Sequence, residues 1–316
     1  MQAQKVTTIK IADISSFESQ FLVNDGLPVV VSGAAANWTS TNTWTLDALS
    51  DQFGSVKLPV RETDDEFAEF FSDNHKLFSP RKMMLCSEYI SKIKEATTSG
   101  PRPPFAGNIS VLGDPAISAK LRVLLTECSF PNWLTGNYKD EFRLWIGAVG
   151  QRSTIHNDAY HNFNAQITGV KKFILFPPNQ HSRLYPKFIH PGLWSSPIDP
   201  KTPDKHAYPL FQESSGFQCQ LTPGDILFIP KFWWHYAETI QTSINMNRWL
   251  YTTEPDRRWW HQQDVARKEI SYLDLFKQIS QQFDSLDPEA KELQRTQYES
   301  LSADIRTIMS KLGACN

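Results

Sequence analysis

The chain of 316 residues has little cysteine, and its four (Cys86, Cys128, Cys219 and Cys315) form no Cys-x-x-Cys pair. That argues against a thiolate zinc site and, at this size and density, against a disulfide framework. A surplus of either charge is missing too: 32 lysines and arginines stand against 34 aspartates and glutamates. Non-specific attachment to phosphate backbones needs a strong basic excess, so no DNA binding is expected. No apolar run approaches the roughly 18 residues of a membrane span, so no membrane association is expected either. The opening stretch, Met1-Gln-Ala-Gln-Lys-Val-Thr7, has no apolar core of a secretory signal. The simplest compartment is a reducing cytoplasm, or a nucleus in a cell that has one. Internal repeats and low-complexity tracts are also absent. What the chain has in quantity is aromatic residues, 12% of the total with 10 tryptophans, and five of those fall between 233 and 260.

Three stretches differ in character. Residues 1–135 read as a mixed α/β element that packs on a barrel. Leu27 to Gly33 is a short β-rich run ended by glycine, and Leu46, Leu49 and Phe53 stand at helical spacing before Gly54. Met83 to Ala96 predicts a second helix. Gly100-Pro-Arg-Pro-Pro104 predicts a loop, because proline breaks both regular structures. Residues 136–252 carry short β-rich runs broken by Gly, Pro and Asn, the pattern of a sandwich or barrel. Among them Thr168-Gly169 predicts a tight turn, and about 181–216 predicts a long loop. Residues 253–316 turn helical, with Tyr272, Phe276, Ile279, Phe283 and Leu286 on one stripe and Leu301, Ile305, Ile308 and Leu312 on another. Those stripes are expected to pack as core or to join two copies as a homodimer. One barrel with two flanking layers suits the length better than two independent domains.

Three residues suggest a metal site: His156 and Asp158 in Thr154-Ile-His-Asn-Asp158, and His235 in Trp233-Trp-His-Tyr236. Positions i and i+2 of a strand face one side, so the first two can point together into a barrel. A histidine from a distant strand completes two imidazoles and a carboxylate, a set that leaves positions open on an octahedral ion and suits non-haem Fe(II). Chance alone supplies about one His-x-acidic match in this composition. The weight therefore rests on what surrounds the motif. Lys171 or Lys172 brings an ammonium into the apolar strand Val170 to Phe176, where a buried charge needs an anionic partner. The second histidine follows Leu221-Thr-Pro-Gly-Asp-Ile-Leu-Phe-Ile-Pro230, a turn and then an apolar strand. The other histidines read as loop or surface residues, with His161 nearest the triad.

These two blocks, with His235 placed 79 positions after His156 (235 − 156), resemble the JmjC/cupin-8 family of Fe(II)- and 2-oxoglutarate-dependent oxygenases. The likeness is clearest over 140–252 and is closest to that family's small hydroxylases of asparagine side chains and of a tRNA base. It implies a mainly β fold, a double-stranded β-helix (jelly-roll) core with flanking α-helices. It also implies Fe(II), 2-oxoglutarate and O2 as cofactor and cosubstrates. Carried over by position, His156, Asp158 and His235 match the iron ligands. Lys171, rather than Lys172, matches the lysine on the distal carboxylate of 2-oxoglutarate, and Ser153 stands where the family has a threonine on that carboxylate. Asn162 and Asn247 match asparagines near the metal-proximal end, and Trp249 a tryptophan beside it. Trp145 is expected to line the same pocket. A family tyrosine that also contacts the distal carboxylate has Asn108 in its place.

The expected activity is hydroxylation of a protein side chain, with succinate and CO2 as coproducts; a tRNA nucleoside or a small molecule is the alternative substrate. The resemblance favours hydroxylation over lysine demethylation, because it is closer to the small hydroxylases and demethylases of the family often carry Glu rather than Asp as the carboxylate ligand. Readings of another class are a cupin isomerase using the same metal, and a non-catalytic barrel. Substrate-binding loops are expected at 62–80, 100–115 and 181–216. Arg257, Arg258, Trp259 and Trp260 form a basic aromatic cluster that reads first as a hinge and second as a base-stacking surface.

Overall fold

A computed structural model of the chain describes residues 2–10, 17–22, 26–60, 82–96, 106–112, 115–190 and 193–251. The helical stripes of 253–316 with their dimer contact, the Trp259–Trp260 cluster and the loops expected over 62–80 and 100–105 lie outside these residues. In chain order the first part gives β1 (Gln2–Lys5), β2 (Thr7–Lys10), α1 (Phe17–Phe21), β3 (Val29–Ser32), α2 (Thr39–Thr43), α3 (Leu46–Phe53), β4 (Lys57–Val60), β5 (Lys82–Leu85), α4 (Cys86–Lys94), β6 (Ala106–Ser110) and α5 (Pro115–Leu121). The second part is nearly all strand: β7 (Lys139–Gly147), β8 (His156–Asp158), β9 (His161–Phe176), β10 (Lys187–His190), β11 (Leu193–Ser195), β12 (Ser215–Leu221), β13 (Ile226–Ile229) and β14 (Trp234–Tyr251).

Local chemistry explains most of the short elements. Helix α3 starts where the Thr45 hydroxyl accepts the Ala48 N–H at 3.0 Å, and its Leu49 and Phe53 are buried as the helical spacing predicts. The helix expected over Met83 to Ala96 begins only at Cys86. Before it, Lys82–Leu85 pairs antiparallel with β4, matching Leu58 to Met84 and so placing both side chains in the core. Two-residue alternation over four residues was hidden inside a longer apolar run.

Two long strands form the spine of the sheet. Strands β9 and β14 pair antiparallel along nearly their whole length, with register shifts between Thr239 and Asn245. Above the shifts, β14 pairs with β8 and β9 pairs with β12. Below them, β14 pairs with β7 and β9 pairs with β13. The two strands thus bend from one sheet into the other and give the double-sheeted jelly roll its corner. Thr168-Gly169 is the correction this brings: the pair marks no hairpin turn but the bend of one continuous strand. Gly169 has φ of +74°, and a Cβ there would sit 2.1 Å from the Thr242 carbonyl oxygen. The N-terminal part joins the same sheet, through β3 on β13, β2 on β3 and β1 on β12. Helices α1, α3 and α4 cover the lower sheet and share its apolar cluster, in which Trp38 and Trp44, on either side of α2, are packing residues.

The stretch 181–216 is not simply loop. Within it β11 pairs antiparallel with β8, placing Ser195 opposite His156 and Leu193 opposite Asp158, and β10 pairs with β11. A three-residue strand leaves too short a period to read from sequence. Two histidines also depart from the surface assignment. His161 is buried on β9 and lies over Phe228 at 5.8 Å. His181 stands between Trp194 and Trp234, with ring centroids at 5.3 and 5.5 Å.

Gly169→Ala should destabilise the fold by at least about 3 kcal/mol in urea denaturation, since the methyl meets backbone at a positive φ. Burial pushes the His181 imidazole down to about 4. Below its ordinary value the unfolded chain therefore binds the proton that the folded chain refuses, and stability drops as the pH falls from 6.5 towards 4. Denaturation midpoints at pH 7 and 5 should differ less in His181→Gln than in the wild type.

Candidate metal centre

His156 and Asp158 sit two apart on β8, and His235 stands directly opposite His156 in the β8–β14 register. Alternation and pairing together bring all three side chains to one point. The two imidazole centroids are 4.2 Å apart. The Asp158 Oδ2 lies 4.0 Å from His156 Nε2 and 3.6 Å from His235 Nε2. One ligand atom from each residue lies within 4.8 Å of the others. Each histidine is oriented by backbone two residues before it: His156 Nδ1 lies 2.9 Å from the Thr154 carbonyl, and His235 Nδ1 lies 3.0 Å from the Trp233 carbonyl. A carbonyl only accepts, so each Nδ1 carries the hydrogen and each Nε2 turns its lone pair towards Asp158.

The electrostatics are unbalanced in the way a cation would correct. Burial raises the Asp158 carboxyl above its ordinary range, and the His156 charge only partly opposes this. Burial, and then His156, hold His235 well below its ordinary value, against the pull of the Trp233 carbonyl. His235 therefore stays neutral and ready to ligate. A buried carboxylate beside two imidazoles, with His235 held neutral, is costly alone and favourable around a divalent ion. The donor set fits a first-row metal with positions left open.

Below the triad, facing strands stack polar residues in rungs. Across β7, β14 and β9 the registers align Trp145 with Asn245 and Gln166, Arg143 with Asn247 and Asn164, and Glu141 with Trp249 and Asn162. The buried Lys171 ammonium crosses the bend to donate to Asn245 Oδ1, and lies 5.8 Å from the Trp145 ring centre. Asn245 donates in turn to Asn247 Oδ1 at 2.9 Å and to Asn164 Oδ1 at 3.3 Å, and Asn247 donates to Asn162 Oδ1 at 3.0 Å. Lys171, Asn162, Asn247, Trp145 and Trp249 are thus gathered on one wall.

Two expected contacts are less direct. The Ser153 hydroxyl accepts the Ala237 N–H at 2.9 Å and donates to the Thr154 carbonyl at 3.0 Å, so its proton must be redirected to serve a carboxylate. Asn108 sits in the bulge between the Ala106 and Ile109 pairings, with φ of 56° and a buried Oδ1 without a hydrogen-bond partner. Trp233 and Trp234 do not wall the metal site. They point into two separate apolar clusters and hold the strand from either side. Sequence reasoning missed Asn245, Asn164 and Arg143. The alternations Asn162-x-Asn-x-Gln166 and Asn245-x-Asn-x-Trp249 were the available signal, a polar face on strands otherwise apolar.

Comparison with known proteins places the site in context. The cupin-like domain profile matches residues 14–257. Lysine-specific demethylase 8 of Xenopus tropicalis is 27% identical over 247 residues, 75% of this chain and 50% of its own length. Human bifunctional peptidase and (3S)-lysyl hydroxylase JMJD7 is 20% identical over 252 residues, 73% of this chain and 79% of its own. HSPB1-associated protein 1 of Rattus norvegicus is 34% identical over 136 residues, 42% of this chain and 28% of its own. The matched region thus spans about half the length of the first of these relatives. No helix among the described residues is long and apolar enough to cross a membrane.

Mn(II) should raise the melting temperature, with about 2.7 kcal/mol of added stability at 100 times its dissociation constant. In Asp158→Ala the same titration should leave the melting temperature unchanged.

Proposed function

Since the chain belongs to the cupin-like (JmjC/cupin-8) domain family, we propose that it is an Fe(II)- and 2-oxoglutarate-dependent oxygenase that hydroxylates a protein side chain. The observation that carries this reading is the convergence of His156, Asp158 and His235 above a buried lysine. An isomerase built on the same metal has no need of a buried cation on that wall.

When bound, iron and 2-oxoglutarate supply the chemistry that activates O2 and leaves succinate and CO2 as coproducts. The chain's own residues hold and orient. His156, Asp158 and His235 hold the metal through Nε2, a carboxylate oxygen and Nε2. The Thr154 and Trp233 carbonyls keep both rings from rotating. The Lys171 ammonium gives up the neutral Asn245 oxygen for the distal carboxylate of 2-oxoglutarate, a stronger charged partner. Asn162 and Asn247 offer amide groups to the metal-proximal end, with Asn245 holding Asn247 in place. Trp145 and Trp249 shield this wall from water and so strengthen the charge pairing. Asn108 offers an amide where the family pattern has a phenol.

The relatives' names carry a lysine demethylase and a lysyl hydroxylase, and both favour a protein substrate over RNA or a small molecule. The near-neutral charge of the chain points the same way.

Iron-loaded protein should convert 2-oxoglutarate to succinate without added substrate, measured by NMR. Lys171→Ala should raise the KM for 2-oxoglutarate on the order of 100-fold, the loss of one buried charge pair of about 3 kcal/mol, and leave Mn(II) affinity within twofold. A protein that binds metal but shows no 2-oxoglutarate binding would point to the isomerase instead.

A further inference from the structure

Arg143 is a second cation in the rung wall, and neither the metal nor the Lys171 site uses it. Its side chain is 12% exposed. Across four strands it shares a rung with Ser110, Asn247 and Asn164. Its guanidinium stacks 5.3 Å from the Trp249 ring centre, and Tyr160 covers that tryptophan at 5.3 Å with nearly parallel rings. One nitrogen, Nη2, lies 3.1 Å from Glu141 Oε1. That same oxygen accepts the Ser110 hydroxyl at 2.7 Å, so it is shared. The other two nitrogens, Nε and Nη1, are buried without a hydrogen-bond partner. A guanidinium remains charged at any accessible pH, and buried donors left unmade are costly. Nε and Nη1 point to different sides of the guanidinium, so each, fixed by packing against an aromatic plane, is a single charged donor for an anionic oxygen.

The cosubstrate's distal carboxylate already has its cation in Lys171, which reaches the rung of Asn245. Arg143 shares the rung of Asn247 and lies beside Trp249, Tyr160 and Tyr251, an aromatic lining larger than a cosubstrate of five carbons needs. We propose that Arg143 determines substrate specificity by binding a carboxylate on the primary substrate, with Trp249 and Tyr160 packing against the carbon chain that bears it. This rests on the oxygenase reading and sharpens it: the group entering this pocket is acidic, since a lysine ammonium would meet a fixed guanidinium.

Mn(II)-loaded protein with saturating 2-oxoglutarate is titrated calorimetrically with the N-acetyl amides of aspartate and glutamate, and with those of asparagine and glutamine. In the wild type at least one acidic probe should bind about tenfold tighter than its amide counterpart, a difference of about 1.4 kcal/mol. Arg143→Gln should abolish that preference, and Arg143→Lys should restore only part of it, because the charge returns without the guanidinium's fixed donors. Glu141→Gln should tighten the acidic probe by about threefold or more, since it removes the competing carboxylate; an unfolded variant cannot produce that gain. Equal binding of acid and amide by the wild type, or a preference that survives in Arg143→Gln, would overturn the proposal. So would a tenfold loss of 2-oxoglutarate affinity in Arg143→Gln, which would assign the guanidinium to the cosubstrate. The preference is also read without metal and 2-oxoglutarate. Failure to bind those two would sink the oxygenase reading, while the Arg143 comparison would stand or fall by itself.

Discussion

A strand has one side-chain period, and the pairing of β9 with β14 forces everything in the site to obey it. Because both strands are long and paired almost throughout, choosing the face of one residue chooses the face of all. His235, Asn245, Asn247 and Trp249 share β14, while Asn162, Asn164 and Lys171 share β9. The odd spacing on β9 between Lys171 and the lower Asn162 and Asn164 (171 − 162 = 9, 171 − 164 = 7) would break the arrangement on a flat ladder. The register shifts between Thr239 and Asn245 absorb it, and they are possible only because Gly169 brings its backbone close to Thr242. The bend therefore lets the triad above and the asparagine rungs below lie on the same continuous strands. A slip of one residue in this register would turn the amides into the apolar packing and Met246 and Ile244 into the pocket.

Buried charge is the second organising fact. Lys171, Asp158 and Arg143 would each be costly alone, and each meets a partner within the chain. Lys171 donates to the Asn245 amide oxygen, Asp158 lies beside two imidazoles, and Arg143 has a carboxylate oxygen shared with Ser110. The asparagine chain from Asn245 to Asn162 extends this economy, since an amide can donate and accept at once and can follow whichever partner arrives.

The triad was legible in the sequence for a physical reason: i and i+2 on a strand fix a face regardless of what the rest of the chain does. Local period also picked out the β-rich half and, through helical spacing in α3, the buried Leu49 and Phe53. What escaped was whatever depends on a partner strand far along the chain. Thr168-Gly169 looks like a hairpin until β14 is known to run beside it and continue past. Lys82–Leu85 looks helical until β4 supplies its edge. Leu193-Trp-Ser195 becomes a strand only because His156 to Asp158 offers unpaired backbone beside it. His181 looks like a surface residue of a polar segment until Trp194 and Trp234 close around it.

Arg143 shows the same limit in sharper form. In sequence it stands in Phe142-Arg-Leu-Trp145 and reads as the solvent side of an alternating strand. In the fold that alternation is reversed, because β7 turns its apolar residues Leu144 and Ile146 to the helices and its polar ones to the pocket. Polar-out is the rule only for a strand whose other face meets water. Strand β7 is covered on one side by the N-terminal element and on the other by the polar rungs of β14 and β9. Polarity in such a strand therefore marks the ligand side, and that inversion identifies the wall on which Lys171, Asn247 and Arg143 stand.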